Sequence, residues 1–161
     1  MTPVSPFQAV AVCSALLYAK FIVTAITGAG KKFATGNRAP EDEAAKPGKE
    51  QAFGLGSNES TSLLSASEKA AKIEDIRWQR ILSNDVENIP LGLIIAYGAA
   101  NSGGNATVTV VAIVAFTLAR FLHTIAYANG WLYPRITGYG LGILSTFVLA
   151  GNAVAGAFSS A

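Results

Sequence analysis

Three stretches of the chain are apolar over a length that spans a bilayer. They cover residues 7–28, 106–128 and 135–158. A helix needs about 20 predominantly apolar residues to cross the hydrocarbon core of a membrane. The first stretch has no basic leader and is long for the apolar part of a cleaved signal peptide, so we interpret it as a membrane anchor. The pattern therefore predicts three membrane-spanning helices.

A fourth helix is predicted over residues 67–100, although its apolar part is short. Only Ile89 to Ala100 is apolar, and the preceding turns contain charged and amide side chains. Apolar residues still recur at helical spacing through those turns, which favours one continuous helix. Because ionisable groups are costly in lipid, we expect the polar side of this helix to be buried against other helices.

A polar segment over residues 29–66 joins the first two predicted helices. It is rich in proline, glycine and charges of both signs. Basic residues concentrate there, and the positive-inside rule places such a loop in the cytosol. The predicted fold class is all-α: one domain over residues 1–161, an integral membrane four-helix bundle with left-handed packing.

Composition narrows the classes of function. The chain has 161 residues, of which 51% are hydrophobic and 14% charged, whereas a soluble domain carries about 25% charged residues. A net charge of +2 is too small to favour nucleic acid as a partner. A single cysteine excludes an intrachain disulfide framework and a cysteine-rich metal site, and a single histidine argues against a zinc site with several histidines.

The second predicted helix carries a polar stripe. Its members, spaced three or four residues apart, are Arg77, Arg80, Asn84 and Glu87. This spacing places them along one face. A ladder of salt bridges that only holds helices together would show the same spacing. Several polar groups on one stripe at membrane depth favour a binding function instead.

The third and fourth helices add further polar groups. Arg120, His123 and Tyr127 share one face of the third helix, and Arg135 and Tyr139 lie at the start of the fourth. His123 alone is more typical of a structural hydrogen bond than of a base, and Arg135 could equally be an interfacial anchor. Arginines in excess within a low-dielectric pocket favour an anionic ligand, and a glutamate can pair with an amine. These residues predict a small cytosolic ligand that is zwitterionic and net negative.

Three segments resemble the motifs of one membrane-protein family. The strings Arg80-Ile-Leu-Ser-Asn84-Asp-Val-Glu87 and Ala119-Arg-Phe-Leu-His-Thr-Ile-Ala-Tyr127 resemble the helix-two and helix-three signatures of the MAPEG family, the membrane-associated proteins of eicosanoid and glutathione metabolism. Pro134-Arg135 stands where that family places the arginine that opens helix four. The likeness is to the branch of microsomal glutathione transferases and prostaglandin E synthases.

The resemblance implies a homotrimer that binds glutathione at each subunit interface, on the cytosolic side of the endoplasmic reticulum or another endomembrane. The implied glutathione contacts are Arg80, Asn84, Glu87, His123, Tyr127 and Tyr139, with Arg120 supporting the pocket and Arg135 facing the thiol. Arg135 and Tyr127 would be the catalytic residues. A guanidinium beside the sulfur favours the thiolate, and a phenol can donate a hydrogen bond to it.

The implied activity is that of a membrane-bound glutathione transferase. It would conjugate glutathione to lipophilic electrophiles and reduce lipid hydroperoxides in contact with membrane lipid. One alternative keeps the site but isomerises a prostaglandin endoperoxide. Two others are a non-catalytic lipid-binding adaptor of the same family and a tetraspan channel or structural protein. The complete polar stripe together with Arg135 argues against the adaptor, which has no use for a thiol site.

Overall fold

The computed structural model of the protein describes residues 4–45, 50–54 and 65–159. Within these ranges the regular structure is helical, with α1 over Pro6–Thr35, a 3-10 helix over Pro40–Ala45, α2 over Ala66–Asn101, α3 over Ala106–Ala128 and α4 over Leu132–Ser159. The predicted all-α fold with four long helices is confirmed. By length and apolar composition, α1, α3 and α4 can each cross a membrane. A crossing by the more polar α2 stays a prediction.

α1 is longer than its apolar stretch, which corrects the predicted end near residue 28. The helix continues to Thr35, so the connecting segment begins after that residue and not near residue 29. In the added turns, Nζ of Lys31 lies 3.2 Å from a carboxylate oxygen of Glu74. The helix stops at Gly36, whose φ of 73° favours glycine and ends helices. The end of an apolar run therefore marks where the hydrophobic environment ends, while polar contacts carry the helix further.

α4 begins earlier than the predicted residue 135, at Leu132. Pro134 lies inside its first turn. Proline is tolerated at this place because the N–H groups of a first helical turn have no acceptor within the helix. The backbone N–H of Arg135 donates to the carbonyl oxygen of Trp131 at 3.3 Å. Arg135 is consequently fixed by the opening turn of α4.

The chain divides into two units. The first comprises Met1–Phe21 and Ser83–Ala161, and it contains α3, α4 and parts of α1 and α2. Its apolar core consists of Ala9, Val10, Cys13, Leu17, Ile89, Ala96, Ala99, Ala112, Ile113, Phe116 and Leu149. These residues come from all four helices, so the core joins them within this unit.

The second unit, Ile22–Leu82, is organised around the buried carboxylate of Asp75. One of its oxygens accepts hydrogen bonds from Thr35 Oγ1 and Asn37 Nδ2, each at 2.9 Å. The other accepts from Gln79 Nε2 at 2.9 Å. These bonds tie the end of α1 to the first half of α2 inside this unit.

α3 and α4 approach closely at Gly138. A Cβ added there would lie 2.8 Å from the backbone nitrogen of His123 and 3.0 Å from the carbonyl oxygen of Ala119. One turn later, a Cβ at Gly142 would lie at an ordinary 3.7 Å from Cδ of Arg120. Small residues four apart let two helix backbones approach in this way. The approach sets the separation of α3 and α4 near the predicted site.

We expect Gly138→Ala to lower the thermal stability of the protein. The new methyl group would meet backbone atoms of α3, and overpacking of this kind costs about 1–3 kcal/mol. Gly140→Ala is the matched control, because a Cβ there meets nothing within 4 Å. Thermal melting in detergent, followed by circular dichroism, should show a lower midpoint for the first variant only. Equal midpoints would contradict the close approach.

Candidate functional site

The most deeply buried acid of α2 is Asp85, which is 0% exposed. Both of its carboxylate oxygens accept from Nζ of Lys20 at 2.5 Å. Oδ1 also accepts from Nη2 of Arg120 at 2.9 Å. Lys20 and Arg120 are themselves 7% and 1% exposed. One buried carboxylate with two buried cations therefore joins α1, α2 and α3.

Arg120 extends this contact to Asn84. The same Nη2 donates to Oδ1 of Asn84 at 2.5 Å. A guanidinium has donors only, so it holds the amide oxygen of Asn84 toward itself, and the NH2 group points away. Lys20, Asp85, Arg120 and Asn84 together form what we call the buried charge network. The network gives the Asn84 amide one defined orientation.

His123 lies between α3 and α4 with its tautomer set by a backbone carbonyl. Its Nδ1 is 3.1 Å from the carbonyl oxygen of Arg135. Because a carbonyl only accepts, Nδ1 carries the proton, and Nε2 of the neutral ring is an acceptor. Nε2 is buried and makes no hydrogen bond within the described residues. His123 can therefore accept a hydrogen bond from a ligand or a water molecule.

Two tyrosines and an arginine surround His123. The ring centroids of Tyr127 and Tyr139 lie 5.7 and 6.0 Å from that of His123. The guanidinium carbon of Arg135 lies 4.7 Å from the centroid of the Tyr127 ring, within the range of a cation–π contact. Tyr139 is exposed, and Tyr127 and Arg135 are half-buried. We call His123, Tyr127, Arg135 and Tyr139 the aromatic group. It presents a cation and two phenols at an accessible surface.

The outer members of the predicted stripe are not buried in the single chain. Glu87 is exposed and accepts a hydrogen bond from Ser83 Oγ at 3.0 Å. Arg80 belongs to the second unit and is also exposed. The stripe was predicted to be the buried side of α2. In the first unit, the polar residue that α2 buries is instead Asp85, next to Asn84. Burial follows the contact with Lys20 and Arg120, and spacing along one helix does not reveal such a contact.

A groove of about 270 Å³ lies beside Glu87. It is lined by residues of α2 and α4: Glu87, Asn88, Leu91, Gly92, Ile95, Ile143, Thr146, Phe147 and Ala150. All but a few of these side chains are apolar. The groove can therefore accept an apolar chain beside a carboxylate.

Lys20 and Asp85 were not among the site residues predicted from the sequence. Arg120 and Asn84, which contact Asp85 and Arg120 respectively, were among them, and so were all members of the aromatic group. The missed signal was a lone lysine in an otherwise apolar helix and an aspartate in the polar part of the next. Opposite charges at membrane depth are tolerated only when they pair, so each predicts a partner for the other.

The family model of the MAPEG family matches residues 7–155. The chain belongs to the MAPEG family. Glutathione transferases and prostaglandin E synthases are members of this family. Membership confirms the predicted family and the membrane helical bundle of MAPEG type, and with its apolar helices the chain is a multi-pass integral membrane protein. No curated protein was found to match this MAPEG chain. The homotrimer and the glutathione contacts stay predictions.

We expect Asp85→Asn to destabilise this MAPEG protein strongly. The change leaves two buried cations without the carboxylate that they share, and breaking a buried ion pair costs about 3–5 kcal/mol. Glu87→Gln, which removes an exposed carboxylate from the same helix, is the matched control and should melt like the wild type. Thermal melting in detergent compares the two. A wild-type midpoint for Asp85→Asn would show that the two buried cations do not depend on this carboxylate.

Proposed function

We propose that this MAPEG protein is a membrane-bound glutathione transferase that conjugates glutathione to lipophilic electrophiles. The observation that carries the proposal is the aromatic group. Arg135 is fixed at the start of α4, its guanidinium lies over Tyr127 at 4.7 Å, and both residues remain accessible. A permanent cation beside a phenol at an accessible surface suits a bound thiolate. Family membership supports the same conclusion.

We assign Arg135 to the thiol of glutathione. A free thiol has a pKa of about 8.5, so little thiolate exists at neutral pH. A guanidinium stays protonated even when partly buried, and its charge favours the thiolate. After the thiol has lost its proton to solvent, the sulfur forms a bond to the electrophilic carbon, and the leaving group departs with its electron pair. Tyr127 would donate a hydrogen bond to the sulfur. With a lipid hydroperoxide, the same thiolate would attack the terminal peroxide oxygen. The O–O bond would break, the lipid alkoxide would leave and take a proton to become the alcohol, and a second glutathione would reduce the resulting sulfenic acid to glutathione disulfide and water.

We assign the peptide part of glutathione to α2 and to the other members of the aromatic group. The NH2 group of Asn84 suits a ligand carboxylate, and the carboxylate of Glu87 suits the ligand amine. Nε2 of His123 can accept from a ligand N–H. Arg80 and Tyr139 are the further contacts that the family resemblance implies. Arg120, which is buried in the charge network, would act through Asn84.

We propose that the working form is a homotrimer in which a neighbouring subunit completes the site. Glu87 and Tyr139 are polar groups on the surface of single helices and are exposed in one chain. Such groups are costly when they face lipid. A second copy packed on these surfaces would remove them from lipid and enclose a ligand between subunits.

We propose the groove beside Glu87 as the place of the lipophilic co-substrate. Its apolar lining extends from Leu91 to Ile95 on α2 and from Ile143 to Ala150 on α4. An acyl chain or aromatic compound dissolved in the bilayer can enter such a groove without crossing water. Its polar end at Glu87 is the end at which we place glutathione.

We expect Arg135→Ala to abolish the ultraviolet absorbance of bound glutathione thiolate. Removing a preorganised charge of this kind lowers kcat by about 10²- to 10³-fold. Arg135→Lys should keep part of the thiolate signal, since it retains a point charge. Arg38→Ala is the matched control, because Arg38 pairs with Asp42 in the second unit. Difference spectra and conjugation of a model electrophile measure both effects. Failure of the wild type to conjugate glutathione would refute the proposed function.

We expect Glu87→Gln to weaken glutathione binding through loss of the contact with the amine. A glutathione analogue that lacks this amine separates the contact from general damage. The wild type should bind the analogue about tenfold more weakly than glutathione, as expected for one charge-assisted contact. Glu87→Gln should bind both ligands equally. If the variant still preferred glutathione by the wild-type factor, Glu87 would not pair with the amine.

A further inference from the structure

We propose that Lys20 and Asp85 are positioning residues for glutathione. They hold Arg120 in place, and Arg120 fixes the Asn84 amide with its NH2 group directed toward the ligand. Neither Lys20 nor Asp85 touches glutathione. The inference rests on the proposed function, since it names the residues that prepare the glutathione site.

The ammonium group of Lys20 contacts both oxygens of the Asp85 carboxylate. Nζ is at the same distance, 2.5 Å, from Oδ1 and Oδ2 of Asp85. The side chains are 4% and 0% exposed, so water does not compete for the carboxylate. Both oxygens face one ammonium group from α1, which sets the distance of the carboxylate from α1, and the contact of Oδ1 with Arg120 Nη2 sets its rotation. Oδ1 consequently has a fixed place relative to α3.

One nitrogen atom of Arg120 connects the carboxylate of Asp85 to the amide of Asn84. Nη2 of Arg120 has two N–H groups, and they donate to Oδ1 of Asp85 at 2.9 Å and to Oδ1 of Asn84 at 2.5 Å. Both hydrogens are then used, and the orientation of the guanidinium is determined. Arg120 is 1% exposed, so in another conformer its guanidinium would have no solvent water to donate to. Asp85 therefore decides where the amide oxygen of Asn84 lies.

The orientation of the Asn84 amide determines whether it presents a donor or an acceptor to a ligand. An amide that could flip would present either a donor or an acceptor, and the acceptor would repel a carboxylate. The contact with Arg120 leaves the donor outward. Glu87, three residues later on the same face, presents an acceptor. A donor and an acceptor on one face match the carboxylate and the ammonium group of the amino-acid end of glutathione. A donor fixed before binding lowers the cost of ordering on binding.

A purely structural role and a positioning role predict different results for Lys20→Met. This change leaves one carboxylate and one guanidinium, a balanced buried pair, so we expect the protein to fold. A structural role then predicts unchanged affinity for glutathione. A positioning role predicts weaker binding, because Arg120 is no longer steered by a clamped carboxylate.

The test is a double-mutant cycle on glutathione affinity, measured by calorimetry on the full chain in detergent. Asn84→Ala should raise the dissociation constant about tenfold, as expected for one hydrogen bond to a charged group. Lys20→Met should raise it about threefold to tenfold in the wild type, but not further in the Asn84→Ala background, since coupled residues are not additive. For Lys20→Met, the kcat at saturating glutathione should stay within about twofold of wild type, because the change affects binding of glutathione and not the reaction of its thiolate. Thr117→Val, a buried polar residue of α3 outside the network, should change neither value.

The outcomes separate the inference from the proposed function. Absence of glutathione binding by the wild type would overturn both. Binding that Asn84→Ala weakens, with Lys20→Met either silent or fully additive, would overturn the positioning role alone. If Lys20→Met does not fold, the side-chain amide signal of Asn84 in nitrogen-15 spectra of the wild type shows whether the Asn84 amide has one orientation. We expect one sharp NH2 pair that shifts on addition of glutathione, and an averaged or unchanged signal would contradict a fixed donor.

Discussion

A charge placed at membrane depth must find its counter-charge inside the protein, and this constraint organises the first unit. Asp85 meets it with two cations, Lys20 from α1 and Arg120 from α3, at 2.5 and 2.9 Å. Desolvation of the ions offsets much of their attraction, so the contact adds less to net stability than its short distances would indicate. What it secures is the register of three helices and the orientation of the side chains that Arg120 touches.

Some residues of the proposed site orient other side chains, and the others would contact glutathione. The buried charge network orients Asn84, and the close approach at Gly138 brings the His123 ring to the carbonyl of Arg135. The accessible members, Arg135 and Tyr127, are thereby backed by rigid elements. Sites supported in this way keep the geometry that thiolate stabilisation requires. The chemistry that we propose thus depends on packing between helices as much as on the reactive side chains.

Sequence predicted the helices well where local signals mark their ends. α3 spans the predicted residues because Asn105 caps its start, accepting from the N–H of Val108, and Asn129 follows its last turn. α1 was predicted too short because its last turns are stabilised by polar contacts such as that of Lys31 with Glu74. The aromatic group followed from helical spacing. The role of Asp85 did not, because it lies off the polar stripe and its partners come from α1 and α3.

An experimental structure of the protein with glutathione bound tests the central claim most directly. We expect Oδ1 of Asn84 to remain on Arg120 Nη2, with Asp85 and Lys20 in contact behind it, and the Asn84 NH2 group to lie within hydrogen-bonding distance of a glutathione carboxylate. The sulfur should lie beside Arg135. Glutathione bound elsewhere, or an Asn84 amide released from Arg120 in the complex, would contradict the claim that the buried charge network prepares the site.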